Sequence, residues 1–463
     1  MSTPTLVRLA ELACAVRFDA LPAAVVARAK SLILDTLACA YGGFASDASV
    51  AVRAAIADAG GHPQSTMIGS GTRHSMAQAT LANGTMLRYQ DSNDYVFARD
   101  PAHPSGNLAA VLAVAERVGA SGPAMIAALV AAYEIHLRFA EHAGDPTIWG
   151  RGWHHGTNAQ FAAAAAAARL LGGDTVDPLR VAHAMAIAGS HHNTLAQLQS
   201  GSISMIKATA EAWVAKGAVE AAVLAQHGVT GPLSLIEGRH GWADSVAGRV
   251  DLDALTAPLG SDWRLSRVCI KPYPAVASAI AAAAAAIDLH AEVAPRLGDI
   301  ERLTVHLPAY ALGTPSGNPD RRHPANKESA DHSFYYCAAV ALADGACGEA
   351  QFSPERIADP ALAALLARTE LVADEAFAAA WPGRAGGAIT VRFADGTVRT
   401  RRCDAPPGHP DNPLSPPALM HKFHESADPV LGVRRAAALA ARVATLEDCP
   451  DVRDFTPALG PAG

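Results

Sequence analysis

Aromatic residues are scarce in this 463-residue chain, at 5% Phe, Trp and Tyr together, and lysine is scarcer still, with six against 31 arginines. Few large rings mean a core built from small side chains, and the hydrophobic half of the composition is rich in alanine. Alanine has the best helix propensity and lets helices approach closely, so tightly packed helices are expected. The seven cysteines, Cys14, Cys39, Cys269, Cys337, Cys347, Cys403 and Cys449, stand singly, odd in number and without a CxxC. That pattern suggests neither a disulfide framework nor a structural zinc site. An iron–sulfur cluster needs converging thiolates, and nothing in the spacing encourages one. A net charge of −7 gives no basic footprint for nucleic acid. Long apolar runs such as Phe161–Ala168 and Ala275–Ile287 are mostly alanine and too short to span a bilayer. The first residues, with Arg8 and Glu11, read as an amphipathic helix and not as a signal peptide. A soluble, cytoplasmic protein is expected. Gly69-Ser70-Gly71 lacks the third glycine and the preceding strand of a dinucleotide fingerprint, and GxxxxGK[ST], HExxH and GxSxG are absent.

What is present reads as helix after helix from Leu6 to about Gly260, punctuated at Gly42-Gly43, Gly60-Gly61, Gly119, Gly172-Gly173 and Gly228–Pro232. This part shows no convincing strand. Texture changes after Pro272: Arg302–Leu307 looks like a strand, and Ala388–Phe393 and Thr397–Arg402 flank Asp395-Gly396 as a hairpin. Helical stretches at Ala275–His290, Ser333–Asp344 and Pro360–Arg368 lie between, and Tyr310–Ala330 reads as irregular. The expected fold class is mainly α: an all-helical domain over residues 1–265, completed by C-terminal helices in 405–463, plus a smaller α+β domain over 266–404.

Chemistry concentrates in a few places. Polar groups crowd Asn83–Tyr95, and His103-Pro104-Ser105-Gly106 follows with a helix starting near Ser105, whose N-terminus suits a carboxylate. Gly152-Trp153-His154-His155-Gly156 precedes an Ala-rich helix; adjacent histidines point apart, which makes a poor metal pair and a better case for one functional histidine. His191-His192 invites the same thought with less around it. Among so few lysines, Lys207 and Lys271 sit in apolar or tight surroundings. A buried ammonium is a compact donor that binds a carboxylate and whose pKa falls on burial. The bland alternatives are a capped surface loop, a structural histidine and snorkelling lysines.

Taken in order along the chain, these clusters resemble the MmgE/PrpD family. The resemblance runs from Leu34-Asp35-Thr36-Leu37 to about Asn412-Pro413-Leu414. It is most specific at Asp91–Tyr95, His103–Gly106, Gly152-Trp153-His154, Gly201–Lys207, Gly228–Pro232 and Lys271-Pro272-Tyr273-Pro274. Ser329–Phe334 before Asp344-Gly345 is similar to the dehydratase branch. The resemblance implies a helical domain with an α+β lid, a homodimer, no cofactor or metal, and a small carboxylate as substrate. It places Asp91, His103, His154, Lys207 and Lys271 at catalytic positions, with Arg88, Tyr95, Ser105 and both lysines facing substrate. Departures bear on which acid is taken: Tyr95 replaces a common Thr, Arg88 stands where many members have His, and Ala275–Ser278 replace Cys, Arg and His.

The expected chemistry is cofactor-independent bond cleavage beside a carboxylate, foremost a 2-methylcitrate dehydratase-like hydro-lyase. The alternatives are a cis-aconitate-type decarboxylase, an epimerase of an imino- or amino-dicarboxylate, and an inactive dimeric binding protein. In this scheme the lysines hold the carboxylates and the developing charge. His154 is the base, and His103, oriented by Asp91, is the acid.

Overall fold

The computed structural model describes residues 3–200 and 203–461. It divides into two compact units, one comprising residues 1–198, 205–268 and 415–463, the other 199–204 and 269–414.

The first unit is an assembly of helices, principally Ala23–Gly42, Met76–Tyr89, Asn107–Val118, Gly122–His142, Ala159–Gly172, Pro178–His191 and Ile206–Gln226, rejoined by Pro416–Leu431 and Val433–Ala444. Local sequence explains their ends. Ser75 caps Met76–Tyr89 in a capping box with Gln78, which satisfies N–H groups the first turn leaves open. Small residues explain their closeness. A Cβ built on Gly84 would stand 2.7 Å from the Ala212 Cβ, so a side chain there would force Met76–Tyr89 away from Ile206–Gln226. The helical half is not wholly strand-free: Ser65–Thr66 (β1) and Arg73–His74 (β2) form a two-residue antiparallel ladder, too short for any alternation to register in sequence.

Two helices among the described residues are long and apolar enough to cross a bilayer, Gly122–His142 and Ala277–Asp299, which corrects the estimate from apolar runs. They are 89% and 67% buried within the protein, as core helices are.

In the second unit β3 (Ile300–Leu307), β4 (Thr369–Ala373), β5 (Gly387–Phe393) and β6 (Val398–Cys403) form one sheet ordered β4-β3-β5-β6. β3 and β4 run parallel and the other pairs antiparallel. The Ile280–Val293 and Phe334–Asp344 helices share a core with Leu303, Val305, Ile389 and Val391. The stretch Tyr310–Ala330 holds short helical turns, including Ala309–Leu312 and Pro319–Arg322. The units meet in sequence at 268/269 and 414/415, later than the expected 265/266 and 404/405. The shift at the C-terminal end has a physical cause. Ile270 N–H donates to Gly408 O at 3.0 Å. A Cβ on Gly408 would lie 1.7 Å from the Ile270 carbonyl. This stitch ties 405–414 to the start of the second unit.

Candidate active site

The polar cluster of the first unit grows from the C-terminus of Met76–Tyr89. Past that helix Asp91 adopts φ 55°, the left-handed region that Asp tolerates better than most side chains. The turn throws the next residues back over the helix end. Asp94 Oδ1 then accepts the Ser105 N–H at 3.0 Å, and Oδ2 accepts the Tyr133 hydroxyl at 2.8 Å. The turn entering Asn107–Val118 does receive a carboxylate, but it belongs to Asp94. Burial pushes this carboxyl up to about 6, against its hydrogen bonds from Ser105 and Tyr133.

Two loops bring histidines to this cluster, and their backbone partners fix the ring tautomers. His103 Nδ1 lies 2.7 Å from the Asp94 carbonyl oxygen. A carbonyl only accepts, so Nδ1 carries the proton and Nε2 is the acceptor of the neutral ring. The partner that orients this ring is therefore Asp94, where the sequence suggested Asp91. His154 is the opposite case. Its Nδ1 accepts the Gly156 N–H at 3.0 Å, so the neutral ring carries its proton on Nε2. Nε2 of His154 is buried with no hydrogen-bond partner among the described residues. The loop itself is pinned by His154 N–H to Thr194 O at 2.7 Å and Ala196 N–H to Gly152 O at 2.9 Å. Burial first, then His155, hold His154 well below the ordinary histidine range. The His155 ring lies 3.9 Å from that of His154 and 5.3 Å from that of His103. The His155 ring is thus a neighbour of both.

Charge enters from Ile206–Gln226. Lys207 Nζ stands 3.6 Å from Asp91 Oδ1, both buried. One turn on, Glu211 Oε2 is 3.2 Å from Arg88 Nε and Oε1 is 3.5 Å from His155 Nε2. Arg88 Nη1 also donates to Asn93 Oδ1 at 2.5 Å, and Asn93 Nδ2 donates to Ser105 Oγ at 3.0 Å. Arg88 and Ser105, expected to face substrate, are thus engaged inside the protein. Tyr95 is buried, its ring 5.2 Å from Phe97.

The first unit therefore gathers Asp91, His103, His154, Lys207, Arg88 and Ser105. Lys271 belongs to the second unit, where it is fully buried. Of the Gly201–Lys207 stretch, Gly201 and Ser202 lie outside the described residues. His191 is exposed, its ring on the Ile187 carbonyl. Sequence reasoning missed Asp94, His155, His136 and Glu211. His136 is wholly buried with Nδ1 3.2 Å from Asn107 Nδ2, and burial draws it down to about 4. The one available signal was Glu211, a carboxylate four residues after Lys207 in an otherwise alanine-rich run. Among the described residues no group of three or more His, Cys, Asp or Glu side chains is placed to hold a metal ion.

Comparison with known proteins adds the following. The MmgE/PrpD N-terminal domain matches residues 7–254 and the MmgE/PrpD C-terminal domain matches 273–448. The chain is 26% identical to a cis-aconitate decarboxylase-like protein of Aspergillus oryzae, covering 94% of this chain and 93% of that one. It is 28% identical to human cis-aconitate decarboxylase over 95% of this chain and 91% of the relative. It is 26% identical to 2-methylcitrate dehydratase of Cupriavidus necator over 80% of this chain and 78% of the relative.

Proposed function

The chain belongs to the MmgE/PrpD family, and on that premise we propose that it is a lyase that cleaves a bond beside a carboxylate of a small di- or tricarboxylic acid, foremost by removing water from a hydroxy-tricarboxylate such as 2-methylcitrate. The observation that carries the reading is the opposed pair of tautomers: His103 held as Nδ1–H by the Asp94 carbonyl and His154 held as Nε2–H by the Gly156 amide. Elimination of water needs a base for a proton on the carbon beside a carboxylate and an acid for the departing hydroxyl. Nε2 of His103 takes the proton from carbon and, as imidazolium, returns it to the departing hydroxyl, which Nε2–H of His154 steadies by a hydrogen bond; His103 is thus the base, where the sequence suggested His154. The C–H bond breaks, its electrons form the alkene, the C–O bond breaks, and the hydroxyl leaves as water. Lys207 supports the carboxylate where negative charge builds up.

A second reading is decarboxylation of cis-aconitate, favoured by the fuller coverage of the decarboxylase relatives, 94–95% of this chain against 80% for the dehydratase. There the C–C bond to CO2 breaks, and the carbanion takes one proton from His103 in its imidazolium form.

One experiment separates the two. Purified protein is incubated with 2-methylcitrate and with cis-aconitate in deuterated buffer and followed by proton NMR with a CO2 assay. A new alkene from 2-methylcitrate without CO2 supports the hydro-lyase, and CO2 from cis-aconitate supports the decarboxylase. Deuterium uptake without net change, or no reaction across a panel of di- and tricarboxylates, overturns both.

A further inference from the structure

We propose that Glu211 is the positioning residue of this site, a buried carboxylate on which both histidine-bearing loops close, with Arg88 as its counter-ion. This inference rests on the same cluster being the active site. Lys207 and Glu211 lie one turn apart on one face of Ile206–Gln226. The first meets Asp91, while the second is 3.2 Å from Arg88 and 3.5 Å from His155.

The two loops leave room for Glu211 by the same means. A Cβ on Gly106, the last residue of His103–Gly106, would stand 2.9 Å from Glu211 Oε2. A Cβ on Gly156, which ends the His154-His155 turn, would stand 2.9 Å from Glu211 Cγ and 3.0 Å from His154 Nδ1. Two glycines from distant parts of the sequence thus abut one side chain. Glu211 is 2% exposed, and its guanidinium neighbour Arg88 is 3% exposed. Neither charge is affordable there alone, since a buried ion stripped of its partner is strongly destabilising. Together they form a neutral post. By holding His155, whose ring neighbours both of the others, Glu211 fixes where the acceptor on His103 and the donor on His154 stand. Rate depends steeply on such placement.

The test uses the full chain with 13C-labelled histidine Cε1, the signals of His154 and His155 being assigned from His154→Gln and His155→Gln. Three variants are compared: Glu211→Gln, the double variant Arg88→Met with Glu211→Leu, and Lys216→Ala as a surface control. Glu211→Gln should move both ring signals further than Lys216→Ala does and lower turnover roughly tenfold or more. The double variant removes both charges, so its melting temperature should stay close to that of the wild type, whereas its ring signals stay displaced and its turnover low. Histidine signals in the double variant that coincide with the wild type would overturn the proposal, because the rings would then hold their places without the carboxylate. The NMR arm needs no substrate. Displaced rings in a protein that turns over none of the carboxylates would sink the lyase reading and leave the positioning role standing.

Discussion

Lys207 Nζ and Asp91 Oδ1 face each other at 3.6 Å with 5% and 4% of their side chains exposed. Asp91 holds its end of that pair from a left-handed backbone, the one non-glycine residue with positive φ among those described. Asp91→Asn keeps a side chain suited to that backbone but removes the charge that faces the ammonium, and removal of one partner of a buried pair costs about 3–5 kcal/mol. Asp91→Ala loses the same charge and adds left-handed strain of about 1–2 kcal/mol, which Asp91→Gly avoids. Urea unfolding of the three variants should rank Gly above Ala in stability. An Asn variant within about 0.5 kcal/mol of wild type would show that the pair contributes little.

Buried titratable groups give the site opposing pH dependences. Burial draws His136 down to about 4 and His154 well below the usual range, with His155 and Arg88 disfavouring both rings' charge, Lys207 also opposing that of His154, and Glu211 favouring both. An unfolded histidine titrates near about 6.5, so the unfolded chain takes up these protons first as pH falls. The His136 contribution is therefore complete above about 6.5 and lost toward about 4, and that of His154 changes in the same direction. Burial raises Asp94 and Asp100 to about 6. Their contribution has the reverse sign: it is complete below about 4 and lost as pH rises through about 6. The two pairs offset between those limits. Asp94→Asn removes part of the offset, and its stability should fall more steeply toward acid, by up to about 1.4 kcal/mol per pH unit. Parallel stability profiles for wild type and variant would contradict this.

Self-association is a further expectation. Ile206, Trp213 and Leu224, all on Ile206–Gln226, are 56%, 57% and 46% exposed, an apolar stripe that a second copy of the chain would cover. We propose a homodimer through this face. Trp213→Glu should shift light scattering at micromolar concentration from dimer to monomer. A wild-type protein that scatters as a monomer would refute it.

Much of the architecture was legible because its causes are local. Alanine-rich helices end where Gly and Pro stand, and the β5–β6 hairpin turns at Asp395-Gly396. β4 was not legible: its five residues gain meaning only beside β3, more than sixty positions earlier. The site divides the same way. Asp91, His103, His154 and Lys207 lie in short motifs, whereas Glu211 reads as an ordinary helical residue until Gly106 and Gly156 close on it. Ring tautomers were equally hidden, since they depend on a carbonyl at Asp94 and an amide at Gly156 that only the folded loops present.

We propose that Lys207 holds a substrate carboxylate and the charge that develops beside it, and turnover of the responsive carboxylate in Lys207→Ala measures that role. Lys216→Ala serves as control, because Lys216 pairs with Glu220 at the surface. Loss of a charge-assisted contact in a closed site is worth roughly 2–4 kcal/mol, or about 30- to 1000-fold in rate. Lys→Arg should rescue poorly, since a guanidinium is larger, planar and keeps its proton. A loss in that range is expected for Lys207→Ala in a protein that melts like the wild type, with Lys216→Ala unchanged. Turnover by Lys207→Ala within about threefold of wild type, roughly 0.7 kcal/mol, would contradict that role.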